Sequence, residues 1–221
     1  MSATISELIP LALIVAVSPI PVLAVIVMLL TDRARANPLA YLCGWILTLT
    51  AIASLSALSG LDSIRTSPSK PFAIVLVVAG LVMLGLAVHE WRQRPRRGEP
   101  HKVEAWMRVL HTITPPRAFA LGIFLVIVNV KDLLTTVQSG TVLAGDSLSL
   151  GQAAVAIAIF VLISSSTIII PIAVAASFGH RSLPTLHRWR HWLERHGRLV
   201  AAGLFGLIAL LLLAQGLSVL V

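Results

Sequence analysis

Charge is scarce in this chain. Lys, Arg, Asp and Glu make up 12% of its 221 residues, where a soluble domain carries about 25%. With 57% of the residues hydrophobic, so few charged side chains cannot clothe a water-facing surface, and the excess apolar surface is expected to face lipid. Cysteine is nearly absent: Cys43 stands alone inside an apolar run, which excludes a disulfide framework, a CxxC redox pair and a thiolate metal cage. Acids are fewer than bases, 9 against 17, giving a formal charge of +8. In a soluble chain that excess would point to nucleic acid; here it points to an anionic membrane surface, and no nucleic-acid partner is expected. Aromatics are only 5% and glycine recurs, without the alternation of a membrane β-barrel. No Walker-type glycine loop is present, so ATP is not a direct energy source. The N-terminus has no basic residue ahead of its first apolar run, which therefore reads as a retained helix and not a cleaved signal.

What the chain does have is long apolar runs. A membrane helix needs about 20 mostly apolar residues, and six runs meet that length: approximately Leu8 to Leu30, Pro38 to Leu61, Pro71 to Val88, Ala118 to Val137, Gln152 to Ala176 and Leu199 to Val221. The expected fold is an all-α membrane protein of six transmembrane helices. Its expected organisation is a single membrane domain: a first three-helix repeat over 1–91, a basic cytoplasmic loop with an interfacial helix over 92–116, and a second three-helix repeat over 117–221. Fourteen of the 17 cations fall in the loops after the first, third and fifth runs, while Arg65 and Lys70 alone mark the other side. By the positive-inside rule those three loops are cytoplasmic and both termini lie outside a cytoplasmic (inner) membrane.

The basic loops carry apolar stripes. Val103, Trp106, Met107 and Leu110 recur at helical spacing, as do Leu186, Trp189 and Leu193 amid His187, Arg188, Arg190, His191 and Arg195. These fit short interfacial helices at an anionic leaflet, serving either simple anchoring or capture of lipid headgroups by Arg188, Arg190, Trp189 and Trp106. His187 and His191 share a helical face, but no third ligand completes a metal site, and neither metal nor cofactor is expected.

Two runs contain features that a membrane helix carries at a cost. In the first, Ser18-Pro19-Ile20-Pro21 lies midway. Pro19 and Pro21 lack the N–H groups that would bond the carbonyls of Val15 and Val17, so the helix must kink or unwind. Unbonded carbonyls are tolerated at that depth only within protein or beside a polar cavity. In the fourth run, Asn129-Val130-Lys131-Asp132 brings two charges to membrane depth, each costing about 2.5 to 3.5 kcal/mol. Neighbouring residues project about 100° apart on a helix, so Lys131 and Asp132 call for partners on other elements as well. Lys131, Thr135 and Gln138 share one face and Asp132, Thr136 and Ser139 the next, together a broad polar stripe. A shift of 111 residues lays Ser18 over Asn129 and Pro21 over Asp132. Three spans per half would set the halves in opposite directions, as in inverted-repeat transporters whose sites lie where broken helices meet. In the fifth run Ser164, Ser165, Ser166 and Thr167 add hydroxyls that either bond between helices or line a path.

Ser18-Pro19-Ile20-Pro21 leading to Thr31 through Asn37, Gly44-Trp45, Trp106 with Pro115 and Arg117, Asn129 with Lys131, and Trp192-Leu193 together resemble the GAP (glycopeptidolipid-addressing protein), or Sap, family of the LysE transporter superfamily. The resemblance covers nearly the whole chain. It implies a six-helix inner-membrane protein of actinobacteria associated with movement of surface glycolipids; more distant relatives export amino acids or cations. The family commonly has proline and asparagine around the lysine where this chain has Val130 and Asp132, which leaves a break in the fourth helix without its proline.

The function expected from these residues is a secondary exporter or flippase of a lipid-linked or amphiphilic substrate, not an enzyme, with proton coupling as its drive. Lys131, Asp132, Asn129, Ser18, Pro19, Pro21, Thr135, Thr136 and Gln138 are the expected substrate and coupling residues. Two other readings remain: a small-solute exporter, and a non-transporting scaffold of a lipid-export complex. Anionic lipids or glycolipids are expected partners, with a second copy of the chain or lipid-synthesis or export machinery as others.

Overall fold

The computed structural model describes residues 1–31, 34–59, 70–92, 110, 112–146 and 148–220, and every regular element among them is helical. In chain order these are α1 (Ser2–Ala16), α2 (Pro19–Leu29), α3 (Ala36–Leu58), α4 (Lys70–Arg92), α5 (Pro115–Val128), α6 (Val130–Gly145), α7 (Leu150–Phe178), a single 3₁₀ turn (Gly179–Ser182) and α8 (Leu183–Leu220). Two helical stretches of the described residues are long and apolar enough to cross a membrane, Ala36–Leu58 and one within Leu150–Leu211. The pairs α1–α2 and α5–α6 pass the same test together, bent by 57° and 78°. That makes two to four candidate spans, enough to read the chain as a membrane protein.

The bends arise in two ways. At the first, Ser18 is extended (φ −110°, ψ 104°), as a residue before proline prefers, and it ends α1. Pro19 and Pro21 then occupy the first turn of α2, where backbone N–H groups have no intrahelical acceptor, so neither proline costs a bond there. At the second, no proline is involved. Asn129 is extended (φ −77°, ψ 91°) and belongs to both helices: its N–H donates to the Leu125 carbonyl at 3.2 Å, and its own carbonyl accepts from Leu133 N–H at 2.9 Å. Asn129 holds both cap positions without a side-chain cap bond, and the break forms with Val130, not proline, as the first residue of α6.

The chain divides into two compact units, one of residues 1–61 and 102–192, the other of 62–101 and 193–221. In the first, α3 packs along both limbs of the bent pair α5–α6, and α7 packs along both limbs of α1–α2. Glycines set the α3 contacts. A methyl group at Gly44 would overlap the Phe119 carbonyl, one at Gly122 the Tyr41 carbonyl, and one at Gly140 the Ala53 carbonyl and Ser56 Cβ. Close backbone approach through small residues is how helices associate where lipid supplies no hydrophobic drive. α2 is buried without interruption from Leu23 to Leu29, consistent with an apolar helix enclosed by others. In the second unit α4 meets the later part of α8 at Gly80, where a Cβ would come within 2.8 Å of Leu213 Cγ.

Helix α7 opens on a capping box: Gln152 N–H donates to Ser149 Oγ at 3.4 Å and Ser149 N–H to Gln152 Oε1 at 3.0 Å. The interfacial helix expected around Val103, Trp106, Met107 and Leu110 falls almost wholly outside the described residues, as does Trp106 itself.

Candidate functional site

The two bends meet through side chains. Lys131 and Asp132 lie in the first turn of α6, and their side chains are 4% and 0% exposed. An anion is favoured at that end of a helix, where the backbone dipole is positive; a cation is not, and Lys131 is balanced there by oxygens. Its Nζ donates to the Ile14 carbonyl at 2.5 Å, to Ser18 Oγ at 2.8 Å and to Asp132 Oδ1 at 2.6 Å. The sequence expectation that these adjacent residues need partners elsewhere holds, and they also pair directly: the flexible lysine stem folds back, so the 100° between the two positions does not separate the charges.

Asp132 is held on every side. Ser18 Oγ donates to the carboxylate, 2.8 Å from Oδ1 and 2.9 Å from Oδ2, and Asn129 Nδ2 donates to Oδ2 at 2.6 Å. Ser18 caps α2 by position only, since its hydroxyl is committed to Asp132 and makes no cap bond to its own helix. One residue from each break, Ser18 and Asn129, thus contacts the same carboxylate.

Two of the carbonyls freed by the first break, those of Ile14 and Ala16, are taken up by side chains. Ile14 accepts from Lys131, and Ala16 accepts from Thr167 Oγ1 of α7 at 2.7 Å. The sequence reading put the vacancies at Val15 and Val17 by counting back from the prolines. Those two carbonyls lose their helical donors to the prolines, and the extended Ser18 frees the carbonyls of Ile14 and Ala16 as well. α1 and α6 run antiparallel and are pinned at both ends, by Lys131 to Ile14 and by Thr4 Oγ1 to Asp146 Oδ2.

The remaining candidates divide. Thr135, Thr136 and Ser139 are buried; Thr136 Oγ1 donates to the Asp132 carbonyl at 2.6 Å and Ser139 Oγ to the Thr136 carbonyl at 2.7 Å. Pro21 is buried and Pro19 half-buried at the bend. Gln138 is exposed: the buried arc of α6 runs on through Ser139, Val142 and Leu143, and Gln138 lies just outside its edge. Of the fifth-run hydroxyls, Thr167 bonds between helices, Ser166 bonds the Ile163 carbonyl of its own helix, and Ser164 and Ser165 are buried without a partner. Tyr41 Oη and Trp45 Nε1 of α3 are likewise buried and unpartnered. Their rings stack at 6.3 Å. Sequence reading had not picked out Tyr41 or Ile14: one is an isolated aromatic, and the other acts through its backbone.

On the first part of α8, Leu186 is buried and Trp189 half-buried, while His187, Arg188 and His191 are exposed and Arg190 is half-buried. Arg188 makes long bonds, at 3.4 Å, to the Pro184 carbonyl and Thr185 Oγ1 of its own helix. Among the described residues no three His, Cys, Asp or Glu side chains gather as a metal site.

A search of curated proteins and a search of solved structures each found nothing that matches. The sequence model of the family described as Sap, sulfolipid-1-addressing protein, matches residues 8–218, from the run before the first break to the end of α8, and the chain belongs to that family.

Proposed function

We propose that this chain is a proton-coupled secondary transporter of the inner membrane that moves a lipid-linked or amphiphilic substrate outward, acting as a carrier and not as an enzyme. The observation that carries the reading is the Lys131–Asp132 pair, buried where two broken helices meet and contacted from both breaks. Charges at membrane depth are costly, and where they persist they mark ion and substrate routes. Discontinuous helices are the means by which inverted-repeat transporters bring carbonyls and helix ends to such a site. A family named for sulfolipid-1 addressing supports a lipid cargo.

Six spans in a 3+3 inverted repeat, of the LysE type, belong to the same proposal. Corresponding elements begin at nearly constant offset: Ser2 with Pro115, Pro19 with Val130, Ala36 with Leu150, Lys70 with Leu183. The packing is reciprocal too, since α3 lies on the bent pair of the other half and α7 on that of the first. The three basic loops would be cytoplasmic and both termini outside.

The test is export from reconstituted vesicles with labelled glycolipids and, in parallel, amino acids. Lys131→Ala and Asp132→Asn are expected to lose export while inserting normally. Normal export by both variants would sink the proposal, and efflux of amino acids alone would move it to a small-solute carrier. Loss of function on deleting 92–111 with Lys131→Ala unaffected would identify a scaffold.

A further inference from the structure

The three oxygens around Lys131 Nζ form a cage. They come from the Ile14 carbonyl at the end of α1, the Ser18 hydroxyl between α1 and α2, and the Asp132 carboxylate of α6, at 2.5, 2.8 and 2.6 Å. A lysine ammonium has three N–H donors and no acceptor, so each donor is matched by one oxygen. The cage holds one full negative charge, that of Asp132, and one positive charge balances it. Ser18 cannot turn its hydroxyl hydrogen toward Nζ without giving up Asp132, because Oγ donates there while accepting from the lysine. Ile14 offers only a lone pair. Neutral Lys131 would bring two N–H donors to three acceptors and leave Asp132 an unbalanced buried charge. The arrangement accepts a cation and nothing else.

We propose that this cage is a monovalent-cation site whose resident cation is the protonated Lys131 itself, so that the coupling proton rides on Nζ and Asp132 is the fixed counter-charge. Release is then a proton transfer: an Nζ–H bond breaks, the proton passes to water on the open side, and the neutral amine leaves the cage. With the amine gone, the link from Ile14 at the end of α1 to the start of α6 is lost, which ties the ion to the angle between the bent pairs. Ser18 Oγ and Asn129 Nδ2 stay on the Asp132 carboxylate as neutral donors.

The inference rests on the site being a coupling site, but its first test involves no transport. If Lys131 is a tethered cation, truncating it empties a cage shaped for a primary ammonium. Purified Lys131→Ala in detergent is expected to melt below the native protein in choline chloride. Ethylammonium chloride at equal ionic strength should return at least half of the lost melting temperature, saturably, with sodium chloride giving a smaller rise. The native protein should melt alike in all three salts, and Lys131→Ala with Asp132→Asn should show no response. Lys131→Met, of similar length without charge, serves where the alanine variant does not fold. No response to ethylammonium or sodium in the folded variants overturns the proposal, as does failure of both to fold in every salt. Lys131→Arg separates the proton carrier from the counter-charge, since a guanidinium does not release its proton. Folded Lys131→Arg is expected to lose export, and export at the native rate would overturn the assignment of the proton to Nζ. A negative melting result leaves the export proposal to its own vesicle assay.

Discussion

Ser18 contributes to the site twice, donating to Asp132 and accepting from Lys131. Ser18→Ala removes both bonds from a buried place, and leaving buried charged groups short of a partner costs about 1–3 kcal/mol. The variant is expected to melt lower in detergent and to export slowly, whereas Ser18→Thr, which keeps a hydroxyl, should retain most of both. Equal melting and export for Ser18→Ala and the native protein would show that the hydroxyl is a bystander. The importance of Ser18, Asn129, Lys131 and Asp132 was legible because each residue type is out of place in an apolar run. Ile14 was not, because it acts through a backbone oxygen whose freedom depends on the conformation of Ser18. Gln138 shows the opposite failure: its spacing matches Lys131 and Thr135, but spacing does not fix how wide the buried arc is, and Gln138 falls just outside one that still buries Ser139 and Val142.

At the level of elements, the two breaks have different causes and the same result. Pro19 and Pro21 announced the first bend. The second was harder to read, since no proline marks it: Asn129 is the cap residue of both helices at once. What the sequence could not display was the packing through Gly44, Gly122 and Gly140, because glycine is common in membrane helices and only contact geometry separates a spacer from an interface. Gly122→Ala would press a methyl into the Tyr41 carbonyl and Trp45 N, and Gly140→Ala into the Ala53 carbonyl. These are backbone atoms that cannot rotate away, so overpacking of about 1–3 kcal/mol is expected. Gly85→Ala is the matched control, as nothing lies within 4 Å of its would-be Cβ, and alanine is the better helix former. Thermal melts should show loss for the first two and no loss for the third. If all three melt together, the α3 crossings are looser than the contact geometry requires.

For the whole molecule, the open question is whether each bent pair crosses the membrane or turns back within it, since bends of 57° and 78° fit either. Charge distribution separates the two. Arg33 and Arg35 follow α2 and Arg117 lies in the first turn of α5, while the loop around Asp146 carries no cation. By the positive-inside rule the basic ends would face the cytoplasm and the cation-free loop the other side. Both pairs are therefore expected to cross, in opposite directions. In a Cys43→Ser background, single cysteines at Ser2 and Leu148 should react with a membrane-impermeant maleimide added to intact cells, and cysteines at Ala34 and Arg181 only after permeabilisation. Labelling of Ser2 and Ala34 from the same face would make α1–α2 a re-entrant loop. The inverted repeat would then fail even though the 111-residue offset between the two caps stands, because the offset fixes where the chain bends and only the charges fix which way each limb leaves the bend.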